Sequence, residues 1–221
     1  MKCWGWLHVC LILFMTLIPL VATADDFQGT FVEIGLSGSK TETDVDFPNW
    51  FQVSIEDTSV NGTLAAGYAR RFGRFFVAGR LYHTIGEQES GQTTQRYHDT
   101  AEVSTLSFEL DNRWGIELQP GIVFNKATCV YLSLGYARAT GKWELDRPYY
   151  QDRYSDQLDF DGCSLGAGIK QKVTAHLYGF VQVEKTWYQE KSTVALIAES
   201  SFVDDYKPST LTATMGIGWQ F

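Results

Sequence analysis

The last twelve residues of the chain alternate strictly between apolar and small or polar side chains. The apolar residues are Leu211, Ala213, Met215, Ile217, Trp219 and Phe221, and the residues between them are Thr210, Thr212, Thr214, Gly216, Gly218 and Gln220. Because successive side chains of a strand point to opposite faces, this pattern predicts a strand with one continuous apolar face. The aromatic rings at its end are typical of a lipid-facing barrel strand near the membrane interface.

The same alternation recurs in seven earlier segments, at about 29–39, 61–70, 75–84, 114–124, 129–140, 158–170 and 176–188. Three short turns and four long connections join the eight segments, and the long connections lie at about 40–60, 85–113, 141–157 and 189–209. Short and long connections alternate, as they do between the periplasmic turns and extracellular loops of outer-membrane barrels. The sequence therefore predicts an all-β fold, an eight-stranded antiparallel up-and-down transmembrane β-barrel.

A soluble lipocalin-like barrel is the alternative, since it also has eight antiparallel strands. In that fold the apolar stripe would point inward and the opposite stripe would face solvent. The opposite stripe here consists mostly of Gly, Ser, Thr and Ala with isolated charges, which favours a narrow filled lumen. Pro120 is the weakest point of the assignment, because proline removes a ladder hydrogen bond unless it lies at a bulge.

The N-terminus has the features of a secretory signal peptide over 1–24. A lysine at position 2 precedes an apolar stretch, and the sequence Ala22-Thr23-Ala24 forms an A-x-A cleavage site. A signal anchor is the alternative. We expect cleavage to leave an outer-membrane β-barrel domain over 25–221, exported to the outer membrane of a Gram-negative cell.

The charge balance limits the possible partners. The chain has 18 Lys and Arg residues against 26 Asp and Glu residues, which argues against nucleic acid because phosphates require a basic surface. The acidic excess suits solvated extracellular loops. No cofactor or metal site is predicted, and we expect a monomer. The alternation places Cys129 on the inner face and Cys163 on the outer face, so we expect no disulfide bond between them.

Isolated charges fall on the inner face of the predicted barrel. They are Glu33, Arg80, Glu117, Lys170 and Glu184. Unpaired charges are costly in such a small interior, so we expect these side chains to pair with one another. An eight-stranded barrel is just wide enough for its side chains to fill, which favours a salt-bridge network that plugs the lumen. A gate or a narrow ion path is the alternative.

Aromatic side chains in the long connections are candidates for contacts with a ligand. They are Trp50, Phe51, Tyr149, Tyr150 and Tyr154, and aromatic residues are enriched in binding surfaces. Two other interpretations are open. These residues belong to the upper interfacial girdle, or the strands extend beyond the bilayer and pair there.

A lipid-modifying enzyme of the outer leaflet is a further alternative. An acyltransferase or deacylase needs a histidine, a serine and an orienting carboxylate. The mature part contains His83, His98 and His176, with Ser104, Ser107 and Ser164 as possible partners. None of these residues forms a recognisable motif, so we expect no enzymatic activity.

Several segments resemble the OmpA-like outer-membrane β-barrel family, which includes small porin-like and opacity-type surface antigens. The resemblance lies in Trp114-Gly-Ile-Glu-Leu-Gln-Pro-Gly-Ile-Val-Phe124, Tyr131-Leu-Ser-Leu-Gly-Tyr136, Gly162-Cys-Ser-Leu-Gly-Ala-Gly168 and Gly216-Ile-Gly-Trp-Gln-Phe221. It implies a C-terminal assembly signal at Gly216, Ile217, Trp219 and Phe221, recognised by the barrel assembly machinery. It also implies membrane lipid and lipopolysaccharide as surroundings, and a structural, antigen-like or adhesin-like role with a host or surface ligand at the loops.

Overall fold

The computed structural model of the chain describes residues 27–47, 51–86, 88–96, 103–125, 127–147, 152–197 and 200–221. The predicted signal peptide lies outside these ranges. Within the described ranges, no helix is long and apolar enough to cross a membrane.

Ten strands make up the described structure. They are β1 (Gly29–Phe47), β2 (Phe51–Phe72), β3 (Phe75–Ile85), β4 (Gln88–Arg96), β5 (Val103–Val123), β6 (Thr128–Arg147), β7 (Asp152–Lys172), β8 (Leu177–Tyr188), β9 (Lys191–Ile197) and β10 (Ser200–Gln220).

Eight of these strands form a closed antiparallel barrel. The order around the wall is β1, β2, β3, β5, β6, β7, β8 and β10, and the pairing of β1 with β10 closes the ring. Leu36 faces Met215 across this closure. The other two strands lengthen hairpins, because β4 pairs with β5 and β9 pairs with β10. The predicted eight-stranded up-and-down barrel is therefore confirmed.

The two faces of the wall follow the predicted alternation. On β1, Ile34 is 56% exposed while Glu33 is 5% exposed. The outward side chains form an apolar belt that continues around all eight strands, whereas the inward ones are buried. Cys129 is buried and Cys163 is exposed, and both are free.

The apolar belt ends in aromatic side chains at both rims. At the upper rim, which is the end of the belt away from the short turns, Trp114 and Tyr136 pack edge to face with ring centroids 6.4 Å apart. At the lower rim, the exposed phenylalanines Phe72, Phe75 and Phe124 flank short turns, and the exposed Phe221 follows the last strand. Such girdles mark the two interfaces of a membrane barrel.

The strands are much longer than the alternation predicted, so most of the described residues in the four long connections lie in paired strands. The ladder between β1 and β2 continues past Lys40, which pairs with Thr58, as far as Phe47 and Phe51. Similarly, β6 and β7 remain paired up to Arg147 and Asp152. The strands therefore extend beyond the apolar belt and remain paired there.

Pro120 is accommodated without a bulge. The ladder between β5 and β6 passes from Leu118↔Leu134 to Gly121↔Tyr131 in unchanged register and omits the pairs at Gln119 and Pro120. The irregularity on this strand lies higher, between Asp111 and Trp114, where the register shifts. Asn112 has a positive φ of 50° there, a conformation that asparagine tolerates better than most residues.

Candidate functional site

The lower half of the lumen is organised around Arg80. Its Nε donates to Glu33 Oε2 at 2.7 Å, and its Nη1 donates to Glu117 Oε1 at 2.9 Å. The three side chains come from β3, β1 and β5, and each is at most 5% exposed. The guanidinium therefore links three strands through charge-assisted hydrogen bonds, which are stronger than neutral ones.

Lys170 on β7 completes this lower cluster. Its Nζ donates to Glu33 Oε1 at 2.8 Å, and the Tyr178 hydroxyl donates to the same oxygen at 2.8 Å. The ammonium also lies 4.6 Å from the ring centroid of Phe31 and 5.2 Å from that of Tyr131. Aromatic faces stabilise a desolvated cation at such distances, so Lys170 is held by both a carboxylate and aromatic rings.

Glu184 forms an ion pair with Arg113, a residue that the sequence reasoning missed. Arg113 Nη2 donates to Glu184 Oε1 at 2.5 Å and to the Thr186 hydroxyl at 2.8 Å, and its Nη1 donates to the Thr212 hydroxyl at 3.0 Å. The alternation alone places Arg113 at the end of the second long connection. The inward phase of β5 gives the signal that could have found it, since Arg113 has the same parity as Glu117.

Gln182 joins the Arg113–Glu184 pair to the cluster around Arg80. Its Nε2 lies 3.3 Å from Glu117 Oε1 and 3.2 Å from Glu184 Oε2. The structure thus brings all five predicted charges into one network with Arg113. Within this network, the carboxylates of Glu33, Glu117 and Glu184 are matched by three cations, Arg80, Arg113 and Lys170, so its formal charges balance. Chemically, such a network cross-links the wall and fills the middle of the lumen.

A row of hydroxyl groups lines the wall above this network where β1 meets β10. The Ser37 hydroxyl lies 2.7 Å from that of Thr63 and 2.8 Å from that of Thr214. Higher up, Ser39 pairs with Thr212 at 3.2 Å and Thr41 with Thr210 at 3.3 Å. These pairs satisfy buried polar groups and tie β1 to β10 along the closure of the barrel.

Aromatic clusters close the lumen above and below the charges. The upper aromatic cluster contains Phe108, Leu110, Ala137, Ala139, Trp143, Phe160, Tyr188 and Tyr206. The lower aromatic cluster contains Phe27, Phe31, Ala69, Phe76, Ala78, Val123, Cys129, Tyr131, Tyr178 and Phe180. In the upper one, the Phe108 ring lies 5.9 Å from the rings of both Phe160 and Tyr206. The described lumen is therefore layered: aromatic, charged and aromatic again.

The candidate ligand contacts are only partly within the described residues. Trp50, Tyr149 and Tyr150 lie outside them. For Phe51 and Tyr154 the structure describes the backbone, at the hairpin ends of β2 and β7. These hairpins carry exposed ion pairs on their outer side, with Lys40 Nζ 2.6 Å from Glu56 Oε2 and Arg153 Nη2 2.5 Å from Glu144 Oε1.

The candidate catalytic residues are not brought together where the structure describes them. His83 points outward from β3, whereas Ser164 is buried on the inner face of β7. His176 stacks on Trp219 at the opposite end, with ring centroids 5.6 Å apart. Ser107 is half-buried on β5, Ser104 is described by its backbone alone, and His98 lies outside the described residues. Within the described ranges, no group of His, Cys, Asp and Glu side chains could hold a metal ion.

The predicted assembly signal lies on the last strand at the lower rim. Ile217, Trp219 and Phe221 point outward and are 55%, 46% and 68% exposed, and Gly216 faces inward. The Phe221 amide donates to the Thr30 carbonyl at 2.9 Å, so the strand stays attached to β1 up to its end.

Comparison with known proteins gives the fold. No protein-family model matches the chain, and no curated protein matches its sequence. Among solved structures, the outer-membrane protease OmpT of Escherichia coli matches with a TM-score of 0.53 at 10% identity, over 92% of this chain and 99% of OmpT. Ail, the attachment invasion locus protein of Yersinia pestis, matches with a TM-score of 0.43 at 14% identity, over 88% of this chain and 100% of Ail. The outer membrane protein OprG of Pseudomonas aeruginosa matches with a TM-score of 0.48 at 9% identity, over 91% of this chain and 99% of OprG. The chain has the fold of outer-membrane β-barrels.

Proposed function

We propose that this chain is a non-enzymatic surface protein of the outer membrane, in which a plugged barrel carries long hairpins that contact partners outside the cell. The barrel serves as a rigid scaffold, and the hairpins supply the binding surface. This is an adhesin-like or antigen-like role rather than transport or catalysis.

The filled lumen is the observation that carries this proposal. Arg80, Lys170 and Arg113 are each at most 5% exposed and each bonds a carboxylate of another strand. Aromatic clusters lie on both sides of them. Since an eight-stranded barrel has room for its own side chains and little else, a passage for solutes would require this network to come apart.

The long hairpins support a role outside the membrane. On β1 the outward face changes from apolar to charged above Leu36, at Lys40, Glu42 and Asp44. On β10 it changes from apolar to polar above Leu211, at Ser209 and Lys207. The paired strands continue beyond that point. Rigid strands that extend into solvent present a defined surface, and loops on such scaffolds commonly carry binding function.

Export and assembly complete the proposal. The signal peptide over 1–24 would direct secretion, and Gly216, Ile217, Trp219 and Phe221 would be recognised by the barrel assembly machinery. Lipid and lipopolysaccharide would surround the apolar belt. A monomer suffices for this role, because the closed ring pairs the edges of all eight barrel strands.

An epitope-insertion experiment tests the orientation and surface exposure. An epitope placed in the connection at 48–50 should be labelled by antibody on intact cells, because it joins two strands that extend outward. The matched control is the same epitope in the short turn at Gly73, which should be labelled only after the outer membrane is permeabilised. The reverse labelling pattern would contradict the proposal.

Hairpin trimming tests the binding role. Removing residues 42–56 shortens β1 and β2 in register, since Glu42 pairs with Glu56. Intact cells that carry this variant should adhere less to cultured epithelial cells than cells with the unaltered chain, while the barrel remains folded. If trimming each of the four hairpins in turn leaves adhesion unchanged, the binding role is wrong.

A further inference from the structure

The apolar belt has a groove on the outer face of β3 and β5. It has a volume of about 720 Å³, and its outward lining includes Ala66, Gly79, Leu81, Leu118, Leu134 and Tyr136. Leu81, Leu118 and Leu134 are 55%, 50% and 46% exposed, so they form the walls. Ala66 and Gly79, both exposed, form the floor.

Gly79 leaves part of the lining of this groove without a side chain. A Cβ atom added at Gly79 would meet no heavy atom within 4 Å. The space above this residue is therefore open on the outer face rather than filled by a neighbouring side chain. A van der Waals surface without partner atoms loses contact energy, so an apolar ligand that fills the groove gains contacts on its floor and both walls.

The register places the groove in the upper half of the belt. From the upper rim downward, the pairs between β3 and β5 are His83↔Trp114, Leu81↔Ile116, Gly79↔Leu118, Val77↔Pro120 and Phe75↔Ile122. The groove occupies the second and third of these five levels. Trp114 and His83 lie directly above it, at the depth where amphipathic rings meet lipid headgroups.

We propose that this groove binds one acyl chain of an outer-leaflet lipid, with the headgroup at His83 and Trp114. This inference rests on the proposed membrane placement and adds a specific lipid site to it. The groove is continuous with the belt that contacts hydrocarbon. Its outward lining is apolar, and its upper end opens at two rings whose nitrogens can hydrogen-bond a headgroup. Those features fit a lipid that enters from the upper rim.

Native mass spectrometry of the full mature chain tests this site. The barrel is folded into vesicles of phosphatidylethanolamine and phosphatidylglycerol, released into mild detergent, and the lipid molecules that stay bound are counted. Gly79→Leu fills the groove without a backbone clash. Gly38→Leu is the matched control, because Gly38 also faces outward on β1 and an added Cβ there also meets nothing within 4 Å.

The expected result is that the unaltered chain and Gly38→Leu retain one more lipid than Gly79→Leu. If Gly79→Leu does not fold, as judged by the absence of a band shift on heating, Ala66→Leu fills the same groove from the neighbouring strand. Equal retention in all variants overturns the proposal, and so does a dimer that only groove-filling variants lose. A chain that does not float with vesicles would show failure of the membrane placement itself.

Discussion

Arg80 bonds carboxylates of two different strands, Glu33 on β1 and Glu117 on β5, inside a closed barrel. Replacing it by leucine would leave both carboxylates buried next to an apolar side chain. Breaking a buried ion pair by removing one partner typically costs about 3–5 kcal/mol. We expect Arg80→Leu to lower the free energy of unfolding by this amount, measured by urea unfolding of the barrel in lipid vesicles.

The matched control for Arg80 is Arg138, which bonds Asp159 at 2.7 Å on the outer surface with 43% of its side chain exposed. Solvent-exposed pairs contribute little to stability. Arg138→Leu should therefore leave the unfolding midpoint unchanged. Equal destabilisation by the two substitutions would show that the lumen network is not a structural plug.

The pair formed by Arg113 and Glu184 allows a sharper test, because both partners can be removed together. Arg113→Leu alone should cost about 3–5 kcal/mol, since it leaves the Glu184 carboxylate buried without its cation. In the double variant Arg113→Leu, Glu184→Leu, most of this loss should be recovered, because two apolar side chains replace two balanced charges. The same urea titration measures Arg113→Leu, Glu184→Leu and the double variant. The assignment would be contradicted if the double variant lost as much free energy of unfolding as the two single variants lose in sum.

At the residue scale, the sequence was sufficient wherever the alternation gave a clear phase. Glu33, Arg80, Glu117, Lys170 and Glu184 all lie within segments that alternate, and all five point inward. Arg113 was missed because the strand irregularity between Asp111 and Trp114 interrupts the pattern next to it. The pairing partners themselves could not be predicted, because they depend on how far each strand is shifted relative to its neighbours around the ring.

At the element scale, the parts of the strands above the apolar belt contain an aromatic core of their own. Phe160 is fully buried there and packs edge to face on Phe108. Phenylalanine-to-alanine substitutions in a core cost about 3–5 kcal/mol. We expect Phe160→Ala to raise amide hydrogen exchange in the upper parts of β5, β6 and β7, while exchange within the apolar belt stays unchanged.

Phe76→Ala provides the comparison for this prediction. Phe76 is buried in the lower aromatic cluster, where its ring lies 6.1 Å from that of Phe27. Its loss should increase exchange at the lower rim and leave the hairpins protected. If both substitutions increased exchange uniformly along the barrel, the two clusters would not be separate stabilising layers.

The strand ends could not be read from the alternation, for a physical reason visible on β1. Above the belt, both faces of the strand are polar. The inward residues Ser39 and Thr41 belong to the row of hydroxyl groups, Thr43 is buried as well, and the outward residues Lys40, Glu42 and Asp44 face solvent. A pattern of apolar and polar positions has no contrast there, although the ladder continues. The strands in the belt were predictable because lipid on one side and a filled lumen on the other impose that contrast.

At the scale of the whole molecule, the barrel separates three tasks by position. The belt contacts lipid, the layered lumen fills the centre, and the hairpins extend into solvent. Each is made from the same strands, because successive residues alternate between the two faces and the environment changes along each strand. The layered interior favours a scaffold over a conduit, and we propose that the lumen does not conduct.

Planar-bilayer recording of the purified mature chain measures whether the lumen conducts ions. Insertion is first verified by flotation with vesicles and by a band that shifts on heating. We predict no discrete channel events from the inserted barrel at any applied voltage it tolerates, because the charged network and both aromatic clusters fill the lumen. Reproducible discrete openings that change in size or frequency in Arg80→Ala would show that the lumen conducts and identify the network as a gate.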